Sequence, residues 1–403
     1  MSIFDQATHR SVQWQDWRWQ QKNALRDEPA LRIACGGWSE EITAHIEHNL
    51  QDRKMQITPY YIDLIKRSLT SGPITDHPLW RQVVPYWSEQ VAGDYDGTSE
   101  NWELGHEMKT PICQHKYDNR VILRMTNTCN AYCQFCFEAL RTLQVGTDKP
   151  NASTDSFKDS VAYIRSNPAI EEVILSGGDP LMLADRRLEE NLAALRSIRD
   201  DLLIRIHSRA LSFNPFRVTD ELVAMLKKYN VNAFGVHVCH PLELTADFAA
   251  AVKRIQSAVP IVFSNMPLLR GVNDDEATLH KLFIDLYRLG VKPYYLYHFM
   301  PFSPGRPNIK PRSARRSLLW IVSNGACRTL PCPNMYCRTH KASLRCRCWT
   351  LKSLKTCHIL KCTTGSAIIV SVIGKGTGAV GRMPESTHGR GNDGHEARGG
   401  SFY

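Results

Sequence analysis

Acidic residues are missing from about a quarter of the chain. From Leu286 through Pro384 there is not one Asp or Glu, while the same 99 residues carry 17 Lys and Arg. The formal net charge of +10 therefore comes from this stretch, since elsewhere 33 Lys and Arg face 40 Asp and Glu. That excludes reading the basic balance as a nucleic-acid signature of the whole molecule. Also missing is any run of about 18 apolar residues, so no membrane-spanning helix is expected. The start, Met1-Ser-Ile-Phe-Asp-Gln, has neither a basic opening nor an apolar core, so no secretory signal is expected and the default location is the cytoplasm.

Cysteine is not scarce, with 13 in 403 residues, but its distribution is uneven. Seven fall after residue 320: Cys327, Cys332, Cys337, Cys346, Cys348, Cys357 and Cys362. Three others stand close together in Arg124-Met-Thr-Asn-Thr-Cys129-Asn-Ala-Tyr-Cys133-Gln-Phe-Cys136. Thiolates hold iron–sulfur clusters, usually four per cluster, and one short loop can supply several. A local set that stops at three leaves a fourth iron open, and an open metal position invites a substrate or cofactor. A zinc loop or three buried structural cysteines are the alternatives for this spacing. In a chain of this length such a motif favours a reducing compartment where thiols stay free.

About forty residues on, Val173-Ile-Leu-Ser-Gly-Gly-Asp-Pro180 is an apolar run ending in two glycines and an acid. It predicts a buried parallel strand that stops at a loop where backbone must come close to a ligand. Ligands of α/β sheets and barrels sit at such carboxyl ends. Cys-x3-Cys-x2-Cys followed by Ser-Gly-Gly-Asp resembles the radical S-adenosylmethionine (radical SAM) superfamily. Within it the chain resembles the lysine 2,3-aminomutase family over about residues 12–320. Segments carrying the likeness include Trp14-Gln-Asp-Trp-Arg-Trp-Gln20, Ile57-Thr-Pro-Tyr-Tyr61, Tyr117-Asp-Asn-Arg-Val-Ile-Leu123, His237-Val-Cys-His-Pro241, Leu268-Leu-Arg-Gly-Val-Asn-Asp274 and Val291-Lys-Pro-Tyr-Tyr295.

The resemblance implies an α/β fold, a barrel of β/α units that binds a [4Fe–4S] cluster, S-adenosylmethionine and pyridoxal 5′-phosphate (PLP). It implies transfer of an amino group between adjacent carbons of an amino-acid-like small molecule. A reducing partner such as flavodoxin or ferredoxin is implied too, and a homo-oligomer is left open. Cys129, Cys133 and Cys136 are then the cluster ligands, and Ser176, Gly177, Gly178 and Asp179 meet the amino end of S-adenosylmethionine. His237 and Asn265 border S-adenosylmethionine and PLP, and Lys116 with Arg120 meets the PLP phosphate. Arg209 either contacts a carboxylate or closes a strand end, while Tyr132 and Phe135 pack within the loop and face adenine. A PLP-independent radical enzyme and an inactive binding protein with a basic tail are the competing readings.

The chain departs from the family in its pocket. Glu138 stands two residues after the last cluster cysteine, where the family has an Arg that grips the substrate carboxylate, and a carboxylate cannot do that work. Met300 stands where the family has an Asp for a distal ammonium, and a thioether offers a cation almost nothing. Free lysine is therefore not the expected substrate; a cation near Glu138 and an uncharged end near Met300 are.

Apolar runs at Val121, Val173, Leu203, Phe234, Ile261 and Tyr294 alternate with helical spacing, as in 220–228 and 278–287. Six such units predict a partial (β/α)6-type barrel at 111–318, after a helical N-terminal extension at 1–110 rich in tryptophan. Residues 319–403 form an atypical basic, cysteine-rich tail, expected to be frame-shifted or disordered. An auxiliary zinc module and a divergent domain are its alternatives. The family's PLP lysine belongs there; Lys375, in Ile373-Gly-Lys-Gly-Thr-Gly, is the weak candidate.

Overall fold

The computed structural model describes residues 12–86 and 103–297, and four further strands after residue 333 by their backbone alone. The chain divides into two compact units, 1–348 and 349–403. In the second, strands at Cys357–Ile359 and Val370–Val372 pair antiparallel.

The first unit is built on one sheet. Strand β1 (Cys113–Tyr117) turns back antiparallel onto β2 (Arg120–Arg124). From β2 the sheet runs parallel through β3 (Glu172–Ser176), β4 (Leu203–Ser208), β5 (Ala233–His237), β6 (Ile261–Pro267) and β7 (Lys292–Tyr297). These six are the strands the apolar runs predict. Beyond them, β8 (Asn334–Thr339) adds parallel to β7, and β9 (Ala342–Cys346) returns antiparallel. Part of the stretch expected as a separate tail thus extends the sheet. Spatial order equals chain order, and among the described residues no pairing joins the last strand to the first, so the barrel is open.

Among the described residues seven α-helices follow the cysteine loop: α6 (Ala139–Thr142), α7 (Thr154–Ser166), α8 (Asp185–Arg196), α9 (Ala210–Phe213), α10 (Asp220–Lys228), α11 (Ala246–Gln256) and α12 (Glu276–Arg288). Four of the five long ones start at side-chain caps that absorb unpaired backbone N–H groups: Ser153 before α7, Thr219 before α10, Thr245 before α11 and Asp275 before α12. Their buried faces, for example Leu188, Leu192 and Leu195 of α8, cover the outward side chains of the strands, Val173, Leu175, Ile204, Ile206, Phe234 and Val236. Alternate residues of the same strands point the other way, into the barrel.

Among the described residues five N-terminal helices form a second layer: α1 (Trp17–Lys22), α2 (Glu28–Cys35), α3 (Glu40–Leu50), α4 (Pro59–Ser68) and α5 (Trp80–Val83). Their own core of Leu31, Ile46, Tyr61, Leu64 and Trp80 extends onto Ala131 of the cysteine loop and Phe213 of α9, the short helix after β4. Tyr61 meets Phe213 edge to face at 4.7 Å, and the Tyr60 hydroxyl is 2.6 Å from that of Thr245. The extension therefore covers the carboxyl ends of the strands. No helix among the described residues is long and apolar enough to cross a membrane.

Candidate cluster site

Cys129, Cys133 and Cys136 lie in the loop that leaves the carboxyl end of β2. Backbone bonds to the helical layer hold this loop: Tyr132 N donates to Gln56 O (3.1 Å), Gln134 N to Gln82 O (2.8 Å), and Gln56 Nε2 to Cys129 O (2.7 Å). None of the three is in a disulfide. Burial pushes all three thiols up, Cys136 to about 12; neighbouring negative charge raises Cys129 and Cys136 further, while the Arg209 guanidinium partly offsets the rise at Cys133. Three half-buried thiolates in one short loop repel one another, so a positively charged inorganic core is the partner that makes their deprotonation favourable. No group of three or more His, Cys, Asp or Glu among the described residues is gathered as a single metal ion would need.

The glycines of the β3 loop pack against the chain's own backbone. A Cβ on Gly178 would collide with Thr128 O and lie 2.7 Å from Thr128 N and 2.9 Å from Thr126 O; one on Gly177 would lie 2.9 Å from Arg124 Cα. Gly177 also has φ +107°, open only to glycine without strain. What the missing side chains admit is the protein's own backbone at 124–128, the approach to Cys129. Three hydrogen bonds seal the contact: Met125 N to Ser176 O (2.9 Å), Gly178 N to Thr126 O (2.6 Å) and Asp179 N to Thr128 O (2.8 Å). Gly178→Ala is expected to cost at least about 1–3 kcal/mol, as overpacking against rigid backbone does, and to lower iron uptake along with the melting temperature. An unchanged melting curve and iron content would show that the two loops yield freely.

Asp179 is equally occupied. Its buried carboxylate accepts from Leu181 N (3.0 Å), the Ser208 hydroxyl (2.8 and 3.0 Å) and Arg209 N (2.9 Å), so it ties β3 to β4. Ser176 ends β3 on the barrel side.

Arg209 was expected at a carboxylate or a strand end, and it does both. Its Nη2 donates to Glu243 Oε1 (2.8 Å) and to Gln82, while Nη1 reaches Cys133 Sγ at 2.8 Å. Phe135 and Phe213 flank the guanidinium at 5.0 and 4.6 Å.

His237 ends β5 beside Asn265 of β6 in register. Its Nε2 is 3.3 Å from Nδ1 of His207 on β4. Burial lowers His237 to about 4 and His207 well below the usual imidazole range, so both rings are neutral at pH 7. Asn265 Oδ1 and His207 Nε2 are buried without a partner. Gly235 leaves room for this group, since a Cβ there would lie 2.9 Å from the Phe263 ring and 3.3 Å from His207.

Lys116 and Arg120 lie at the opposite end. Arg120 opens β2, four residues and about 13 Å along the strand from Arg124. Lys116 pairs with Glu107 (3.6 Å) and Arg120 with Glu172 (3.5 Å), which also takes Arg205. The structure does not bring this pair together with the cysteines. Met300 and Lys375 lie outside the described residues.

Glu138 overturns one expectation. It is buried, and Arg124 Nε donates to both of its oxygens (3.0 and 3.1 Å) while Nη2 stands 2.9 Å from one of them. The carboxylate already has its cation, supplied from β2, and is not available to a substrate ammonium. Arg124 also donates to Gln114 (2.6 Å) and lies 3.1 Å from Glu103, which in turn pairs with Arg141 and Lys149. Arg141 donates to Pro111 O and Pro150 O (both 2.7 Å). The chain behind Cys136 is thus anchored by buried charge. Sequence reasoning missed this network and Gln82: nothing in either motif points to a partner fourteen or more residues away.

Residues 123–283 match the family model of the Radical SAM superfamily. The chain is similar to the L-lysine 2,3-aminomutase of Fusobacterium nucleatum, 34% identical over 285 residues, covering 71% of this chain and 65% of that protein. It is similar to a putative L-lysine 2,3-aminomutase of Aquifex aeolicus, 32% identical over 289 residues, covering 72% and 75%. It is also similar to the glutamate 2,3-aminomutase of Clostridioides difficile, 30% identical over 286 residues, covering 70% and 65%. The chain spans about two thirds of the length of the first and third of these, and the match leaves its C-terminal region out. On these matches and on the barrel that carries the cysteine loop, the chain belongs to the radical SAM superfamily, among the relatives of the lysine 2,3-aminomutases.

Proposed function

We propose that this chain is a radical isomerase that moves an amino group between adjacent carbons of an amino acid or a compound derived from one. The reading rests above all on the loop of Cys129, Cys133 and Cys136 being clamped, through Gly177 and Gly178, to the end of β3. The cysteine chemistry fits a [4Fe–4S] cluster: three half-buried thiols in one loop need compensating positive charge, and three ligands leave one iron for S-adenosylmethionine. When bound and reduced by a one-electron donor such as flavodoxin or ferredoxin, that pair supplies a carbon radical able to take hydrogen from an unactivated C–H bond.

The chain's own groups prepare the place. The N-terminal layer, through Gln56 and Gln82, fixes the loop. Asn265 Oδ1 and His207 Nε2 offer buried, uncharged polar atoms inside the barrel to a bound molecule. At the amino ends of the strands, Lys116, Arg120 and Arg205 outnumber the carboxylates of Glu107 and Glu172, an excess that suits the phosphate of PLP. Lys375, the candidate to hold the PLP aldehyde, lies outside the described residues.

Protein reconstituted anaerobically with iron and sulfide, then reduced, is expected to form 5′-deoxyadenosine from S-adenosylmethionine, slowly without substrate and faster with it. A panel of free amino acids, with chromatography of derivatised amines to separate α- from β-amino isomers, identifies the substrate. No 5′-deoxyadenosine from cluster-loaded protein would sink the radical reading. Free L-lysine is expected to fail. Glu138 is spent on Arg124, and losing a charge-assisted contact to a substrate ion costs about 2–5 kcal/mol. Rapid conversion of lysine to a β-isomer would defeat that argument.

A further inference from the structure

We propose that Arg209 is a positioning and potential-setting residue. Its guanidinium holds the Cys133 sulfur and stabilises the reduced form of the cluster bound there. This rests on the cluster assignment above and goes beyond it.

The contact is a built one. Asp179 fixes the backbone of Arg209 at the end of β4, and Glu243 with Gln82 holds Nη2, so the fork is locked before Nη1 reaches Cys133 Sγ at 2.8 Å. The side chain is 9% exposed and lies between the rings of Phe135 and Phe213, in a dry setting where charge acts strongly. Its Nε is buried without a partner, a donor still open to a group bound beside the sulfur. A guanidinium serving only to neutralise Glu243 would not need the sulfur contact.

Cluster potentials follow net charge, hydrogen bonds to sulfur and exposure. Reduction adds one electron, and a cation touching a ligand sulfur favours the state with more negative charge. Glu243 opposes this, but it stands on the far side of the guanidinium. Its carboxylate also accepts from Cys239 N (2.8 Å), His240 N (2.9 Å) and the Tyr61 hydroxyl (3.3 Å). The nearer charge wins, so the field at Cys133 is positive. Lysine could keep the charge but not the planar fork that meets three acceptors at once.

The test is an anaerobic redox titration of the reconstituted full chain, read by the electron paramagnetic resonance of the reduced cluster. Arg209→Gln is expected to disfavour reduction at least tenfold, which is about 59 mV for one electron, and Glu243→Gln to favour it. Because Arg209→Gln strands a buried carboxylate, the double variant Arg209→Gln/Glu243→Gln is measured too and is expected to titrate below wild type. Midpoints of Glu243→Gln and of the double variant equal to wild type, at equal iron content, would overturn the proposal and leave the cluster assignment standing. Wild-type protein that takes up no cluster would defeat both.

Discussion

Changing Cys129, Cys133 or Cys136 singly to Ala is expected to reduce bound iron and sulfide from about four each per chain to a small fraction of that after anaerobic reconstitution. Each thiolate serves a different iron, so one deletion leaves two corners open, and the core comes apart instead of rebinding with two ligands. The loss should be specific. The three side chains are only half-buried in the polypeptide, and the loop is held by backbone bonds to Gln56 and Gln82, so the iron-free variants should melt within a degree or two of iron-free wild type. Cys35 and Cys113 are not part of the loop, Cys113 lying in the apolar core, and their replacement by Ala should leave iron content unchanged. The same holds for the seven cysteines after residue 320. A single Cys129, Cys133 or Cys136 variant that keeps nearly four irons would remove the basis for the proposed function.

The second large effect concerns the buried charges behind the loop. Arg124→Met leaves Glu138 without its cation, and Glu138→Leu takes away the acceptor of two of the arginine's hydrogen bonds. Breaking one side of a buried pair costs about 3–5 kcal/mol, whereas replacing both partners by apolar groups is often close to neutral. Urea titration should therefore show each single variant strongly destabilised and Arg124→Met/Glu138→Leu much less so than the sum of the two. Glu103 limits the recovery, because it also leans on Arg124, though Arg141 and Lys149 remain to it. Burial pushes the Glu103 carboxyl up, but the Arg141 hydrogen bond and the nearby guanidinium charges bring it below the usual range on balance. Additive losses in the double variant would mean that Glu138 and Arg124 act independently.

These charges mark the boundary of what could be read in the chain. Strands β2 to β7 were legible because apolar runs of β-rich residues recur between helical segments, and the cysteine and glycine motifs fell where those strands end. Local pattern carries that much, since strand period and loop composition are set by neighbours in sequence. Glu138 was legible only as a lone carboxylate at a position of interest. Its meaning depends on Arg124, which ends an otherwise apolar run and looks, in one dimension, like a residue bound for solvent. Gly178 had the same limit: the residue type announced a close approach, but only the fold identifies the approaching atoms as Thr126 and Thr128. Likewise Arg209 was marked by its place at a strand end, while Gln82, which helps fix it, sits 127 residues earlier in a different layer.

The cover formed by the first helices has a consequence for anyone dividing this protein. Phe213 and Ala131 lie at the carboxyl end of the sheet, yet they share their core with Tyr61 and Trp80. A fragment starting near residue 103 would keep every strand and every cluster cysteine while baring that apolar surface and freeing the loop's outer backbone. Such a truncated protein should aggregate and hold its cysteine loop less firmly, so the N-terminal segment is a working part of the barrel that cannot be trimmed.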